Sequence, residues 1–163
     1  MKTKILLRLL AFCSLLIVSY PLLGQRTAKF IAKNNIASLK PYTYDCYTMM
    51  EISYGTKAQT IVVEFSVYSD EDYKLLFCKT TLPQSIDINV YDKNPKSKNK
   101  KLIYFEETGE KDQYVCNFQP TQTCSYFIEY KIPPATGENQ KGYIVVLIGV
   151  KDIVEDNPMI VKK

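Results

Sequence analysis

Between Thr60 and Tyr68, Ile61, Val63, Phe65 and Val67 fall on one side of an extended chain, with Glu64 and Ser66 on the other. Period-two alternation of this kind puts one face of a strand in a core and the other in water. The pattern recurs along the chain. Tyr73, Leu75 and Phe77 alternate with Lys74, Leu76 and Cys78, and Ile86, Ile88 and Val90 alternate with Asp87, Asn89 and Tyr91. Further short runs rich in β-branched and aromatic residues lie at 47–54, 102–105, 113–118 and 124–132, separated by Gly, Pro, Asn and Asp. Residues 143–150 are apolar without alternation, which predicts a central strand covered on both faces. About eight closely spaced strands with no long amphipathic helix predict an all-β chain, a two-sheet antiparallel β-sandwich. A closed barrel would need more uniform strand lengths and would leave fewer fully apolar strands.

The N-terminus has a different character. Lys2, Lys4 and Arg8 precede an apolar run from Leu9 to Val18, followed by Pro21 and the small Gly24, and no acid occurs before Asp45. Basic, apolar and small segments in that order are those of an export signal. The expected cut lies between Gly24 and Gln25. The apolar run is shorter than the roughly 20 residues a membrane-spanning helix needs, and Gln25 stands where a lipid anchor would require cysteine. The expected organisation is a signal peptide at 1–24, a polar leader at 25–40 with a helical turn or two between Ala28 and Leu39, a sandwich at 41–151 and a tail at 152–163.

Cleavage changes the charge. The chain has 21 basic and 17 acidic residues, and losing Lys2, Lys4 and Arg8 leaves 18 against 17, a net charge of +1. A near-neutral domain has no electrostatic footprint for nucleic acid.

Several segments together resemble small exported β-sandwich proteins of unknown function from Gram-negative bacteria. They are Tyr42-Thr43-Tyr44-Asp45, the stretch from Tyr68 to Phe77, Leu82-Pro83, the stretch from Ile88 to Asp92, and Tyr130-Lys131-Ile132-Pro133-Pro134. The stretch from Tyr68 to Phe77, read as a hairpin, is also similar to accessory sandwich domains attached to secreted peptidases. The resemblance implies a fold and transfers no catalytic residue.

The chain contains no histidine and no tryptophan. Without histidine, Ser-His-Asp and Cys-His nucleophile systems and every His-ligated metal centre are excluded. Carboxylate chemistry, Lys or Tyr chemistry, or a thiol is what remains for an enzyme, and paired carboxylates would draw on Asp45, Glu51, Glu64, Asp87, Glu129 and Asp152. Asp70-Glu71-Asp72 is acidic enough to interest calcium but lacks the spacing of a calcium loop and reads as a solvated turn. Lys93, Lys96, Lys98, Lys100 and Lys101 crowd one loop; with no interleaved aromatic to stack on a base, they read as a solvated loop rather than a polyanion site. Twelve of the thirteen tyrosines follow the expected cut, and tyrosine serves both as a strand residue and as a platform for sugars.

Four cysteines remain after cleavage: Cys46, Cys78, Cys116 and Cys124. An even number in an exported chain permits disulfides. If 113–116 and 124–130 pair as a hairpin, Cys116 and Cys124 are brought together, which leaves Cys46 for Cys78; four buried free thiols are the alternative.

The expected function is an exported, non-enzymatic β-sandwich acting as a binding or structural module in the periplasm or at the cell surface, with an envelope protein or a glycan as partner. No cofactor, metal site or catalytic residue is expected. A small secreted hydrolase using paired carboxylates is the alternative.

Overall fold

The computed structural model describes residues 20–138 and 140–153, with side chains from Ala28 onward. Residues 1–19, which carry most of the expected export signal, and most of the expected C-terminal tail lie outside the described residues.

Eight strands form: β1 (Thr43–Ser53), β2 (Gln59–Val67), β3 (Glu71–Thr80), β4 (Asp87–Tyr91), β5 (Leu102–Glu107), β6 (Gln113–Phe118), β7 (Cys124–Ile132) and β8 (Lys141–Asp152). They make two four-stranded antiparallel sheets, the first in order β1-β8-β3-β6 and the second in order β2-β7-β4-β5. This is the two-sheet antiparallel β-sandwich that the alternation predicts. Among the described residues β4 and β5 are the only consecutive strands that pair with each other; the other connections between successive strands cross from one sheet to the other.

The main core lies between the sheets. Leu75 and Phe77 of β3, Ile144 and Val146 of β8, Ile88 and Val90 of β4, and Ile128 and Tyr130 of β7 all point into it. An aromatic column ties the sheets at one end. Tyr73 stacks on Phe118 at 5.4 Å, Phe118 stacks across the interface on Tyr126 at 5.0 Å, and Phe65 meets both Phe118 and Tyr126 edge-on at 6.3 Å. Such pairs contribute about 0.5–1.5 kcal/mol each beyond the area they bury.

A second, smaller core explains the unbroken apolar run of β8. Val145 and Leu147, with Leu76 and Cys78 of β3, face away from the sandwich interior and are covered by Ala28, Ala32 and Leu39. These three come from a helix, α1 (Tyr20–Asn35), and the 3-10 turn after it (Ile36–Leu39). Central strand β8 is thus covered on both faces, as its composition requires.

The helix corrects one expectation. Residues 28–39 are not a free leader with a turn or two of helix; they are part of the packing of the first sheet. Pro21 falls in the first turn of the helix, where a missing N–H goes unused and a fixed φ is already helical. Ala28 and Ala32 are four residues apart and so share one face, and their small size lets the helix lie close to the sheet. The helix also runs through the Gly24–Gln25 bond at which the cut is expected.

Tyr68, Ser69 and Asp70 make a cross-sheet connection, not a hairpin: β2 pairs with β7 in the second sheet and β3 with β6 and β8 in the first. The hairpin expected to join Cys116 to Cys124 does not form either. β6 pairs with β3, while β7 lies in the other sheet between β2 and β4. The four cysteines among the described residues are all free. Cys46 and Cys78 are two strands apart in the first sheet and meet β8 at Ile148 and Val145, three residues from each other. At about 4.8 Å per strand and 3.3 Å per residue they are roughly 14 Å apart, well beyond the reach of a disulfide.

Candidate functional site

On the second sheet, residues pointing to the core alternate with residues on the outer face. Pairing aligns the outer residues into rows that run across all four strands. One row is Thr60 of β2, Lys131 of β7, Asp87 of β4 and Glu107 of β5. The next is Val62, Glu129, Asn89 and Phe105. A third begins with Glu64, Phe127 and Tyr91. At about 4.8 Å between strands this face is about 15 Å wide.

Glu129 is its polar centre. The residue is only 8 % exposed, yet no buried polar side-chain atom among the described residues lacks a partner. Asn89 donates from Nδ2 to Glu129 Oε2 at 3.3 Å, the Tyr91 hydroxyl donates to the same oxygen at 3.4 Å, and Lys131 Nζ lies 3.8 Å away. A buried carboxylate is stable only with such partners. On either side of this centre the row ends in exposed apolar groups, Val62 at 44 % and Phe105 at 55 %.

The first row forms the floor of a cleft of about 520 Å³, also lined by Gln59, Gln84 and Pro133. The cleft therefore holds two carboxylates, one ammonium, the hydroxyls of Thr60 and Ser85 and the amides of Gln59 and Gln84, beside aliphatic side chains. At the opposite end of the face the lysine-rich loop between β4 and β5 is held shut. The Asp92 N–H donates to the Lys101 carbonyl at 3.2 Å, and the Lys101 N–H donates to Asp92 Oδ1 at 2.6 Å. Lys100 Nζ sits 5.0 Å from the centre of the Tyr91 ring, a cation over an aromatic face. The loop is a structured hairpin connection, and one of its five lysines, Lys100, is used within the fold.

The six acids singled out from the sequence divide evenly between the sheets. Asp45 and Glu51 on β1 and Asp152 on β8 belong to the first sheet, and Glu51 pairs with Lys141 at 2.7 Å. Glu64, Asp87 and Glu129 share the outer face of the second. Glu107, the direct neighbour of Asp87, escaped notice because nothing in sequence relates residues 87 and 107. The signal for it is register, which the alternation of each strand does not supply.

Asp70, Glu71 and Asp72 do not converge. Glu71 accepts from the Tyr73 hydroxyl, and Asp72 Oδ2 accepts from Tyr42 at 2.9 Å. Among the described residues no group of three or more acids or cysteines is placed to hold a metal ion. A smaller cavity of about 250 Å³ opens between edge strands β1 and β2, lined by Asp45, Cys46, Phe65, Glu71 and Tyr73 among others. The thiol of Cys46 is pushed up to about 11, by desolvation first and then by Asp45 beside it, so it is not a poised nucleophile. No helix among the described residues is long and apolar enough to cross a membrane.

No protein-family model matches this sequence, and no curated protein matches it. Among solved structures, the chain is similar to a Family 16 Carbohydrate Binding Module-2, with 14% identity over 63% of this chain and 72% of that chain and a TM-score of 0.21. A likeness at that level bears on neither ligand nor role.

Proposed function

We propose that this chain is an exported, non-enzymatic binding module of the periplasm or cell surface that holds a glycan on the outer face of its second sheet. The observation that carries this reading is the cleft over Thr60, Lys131, Asp87 and Glu107, continuous with the Glu129–Asn89–Tyr91 network and flanked by exposed Phe105. Sugars present hydroxyls in two directions and weakly apolar ring faces. A site for them needs a few fixed donors and acceptors beside exposed apolar or aromatic surface. Export rests on the basic, apolar and small order of residues 1–24.

The test is retention of the mature protein on immobilised polysaccharides, with a Phe105→Ala, Thr60→Ala variant as control. Retention by at least one polysaccharide that the variant loses is the expected result. No retention, or equal retention of the variant, contradicts the reading.

Asp87 and Glu107 are also the acids that a hydrolase would use, since directly opposed residues on neighbouring strands have Cβ atoms about 4.5–5.5 Å apart. Assay of the retained polysaccharide for new reducing ends separates the two functions. A binding module releases none, and release abolished by Asp87→Asn would establish the hydrolase instead.

A further inference from the structure

We propose that the free edge of β5 docks a second copy of this chain, strand to strand and antiparallel, so that the two second sheets join into one. The inference does not use the glycan reading. β5 stands at the end of its sheet and pairs on one side only, with β4. Among the described residues no strand pairs with its other side, which leaves a row of backbone N–H and C=O groups open to a partner strand.

The side chains along this edge say which strand fits. They read Lys100-Lys101-Leu102-Ile103-Tyr104-Phe105-Glu106-Glu107, with the bases at one end and the acids at the other. Laid antiparallel on a second copy, the segment sets Lys100 opposite the partner's Glu107 and Lys101 opposite the partner's Glu106. Leu102 then meets the partner's Phe105, and Ile103 meets the partner's Tyr104. Opposed residues must share a face of the sheet, and here a bulge arranges it. Tyr91 pairs with Leu102 and Val90 with Tyr104, so Ile103 is an extra residue and Leu102 and Phe105 fall on the same outer face. Both are exposed, Leu102 at 49 % and Phe105 at 55 %. A slip of two residues sets Leu102 against Glu107 in one direction and Lys101 against Tyr104 in the other, so one register satisfies the charges.

Lysines and bulges ordinarily blunt an edge against indiscriminate pairing. Matched to themselves, they select one partner. Lys101, Glu106 and Glu107 form no ion pair among the described residues. The other edge strands lack the pattern: β1 carries Asp45 and Glu51 and no base, β2 carries Glu64 alone, and β6 carries no charge. Pairing about a two-fold axis makes each contact twice and closes the assembly at two copies. It also leaves both outer faces on the same side of the joined sheet.

The experiment is sedimentation equilibrium of the purified protein, of Lys101→Glu and Glu106→Lys variants, and of an equimolar mixture of the two variants. Thermal melting checks that each is folded, and Lys100→Glu with Glu107→Lys replaces the pair if either is not. Wild type is expected to be a dimer that dissociates on dilution and on raising salt. Each variant alone puts like charges together twice per dimer and should associate at least about tenfold more weakly. In the mixture every glutamate meets a lysine, and dimers should return. Wild type monomeric at every concentration overturns the inference. So does a dimer indifferent to both reversals, a mixture no tighter than the separate variants, or assembly beyond two copies.

Discussion

Asp87 and Glu107 face each other across β4 and β5 in the cleft, with Lys131 of β7 opposite Asp87 on its other side. Like charges in register cost stability, and the lysine across from Asp87 offsets part of that cost. Elsewhere on the same face the chain satisfies its charges, with Asn89, Tyr91 and Lys131 all gathered on Glu129. The contrast between a closed network and a pair of opposed carboxylates, one row apart, is what singles out the cleft.

Phe105 gives the clearest separation of function from stability. It is 55 % exposed on edge strand β5, so Phe105→Ala removes little buried surface. Its melting temperature should correspond to a change within about 0.5 kcal/mol of wild type, while retention on polysaccharide falls. A large loss of stability would show that Phe105 is a packing residue and not part of a platform.

The cysteines are expected to be thiols. Labelling in denaturant without reductant should modify four per mature chain. In the native protein at neutral pH Cys78 and Cys116 should label slowly, because burial pushes Cys78 up to about 11 and Cys116 up to about 12, and the thiolate is the reactive form. Two labels per chain would contradict the free-thiol geometry and revive the bridge between Cys116 and Cys124.

Gly142 tests the close approach of β8 to the loop after β3. A Cβ there would meet Leu82 Cδ2 at 2.7 Å, the Thr81 carbonyl at 2.8 Å and Leu82 Cα at 2.9 Å. Thr81 is itself held at φ 53, a conformation that a β-branched residue rarely adopts. Gly142→Ala should cost about 1–3 kcal/mol in chemical denaturation. A neutral result would mean that the loop moves freely.

Alkaline pH should unfold the protein through its tyrosines. Burial pushes the phenols of Tyr130, Tyr73 and Tyr104 well above their ordinary value of 10, with Glu71 adding to the effect at Tyr73 and Glu106 at Tyr104. A raised folded-state value contributes stability that is fully present below pH 10 and is lost as pH rises through it. Phenolate absorbance should therefore include a late phase that coincides with loss of the β-sheet dichroism. Complete ionisation with the fold intact would contradict the burial of these side chains.

Most of the fold was legible because the information needed is local. Ile61, Val63, Phe65 and Val67 announce a strand by their own spacing, and the solid apolar run at 143–150 announces two covered faces. Connections were not legible. Seven residues between Cys116 and Cys124 suit a hairpin loop and a crossing between sheets equally well, and only the partners of each strand decide between them. The helix was hidden for a related reason. Ala28 and Ala32 look unremarkable in a lysine-bearing segment, and they become a packing face only once Val145 and Leu147 need a cover. Half of the candidate site could be read, as Glu64, Asp87 and Glu129 were already singled out. Their assembly with Glu107, Thr60 and Phe105 depends on register, which is a property of pairs of strands.

The central claim is that ligand binds on the outer face of the second sheet, and amide chemical-shift mapping during titration with a retained polysaccharide fragment tests it most directly. Shifts are expected at Thr60, Asp87, Asn89, Phe105, Glu107 and Lys131, fading toward the first sheet. Shifts confined to the cavity between β1 and β2, around Cys46 and Tyr73, or to the outer face of the first sheet beneath α1, would contradict it.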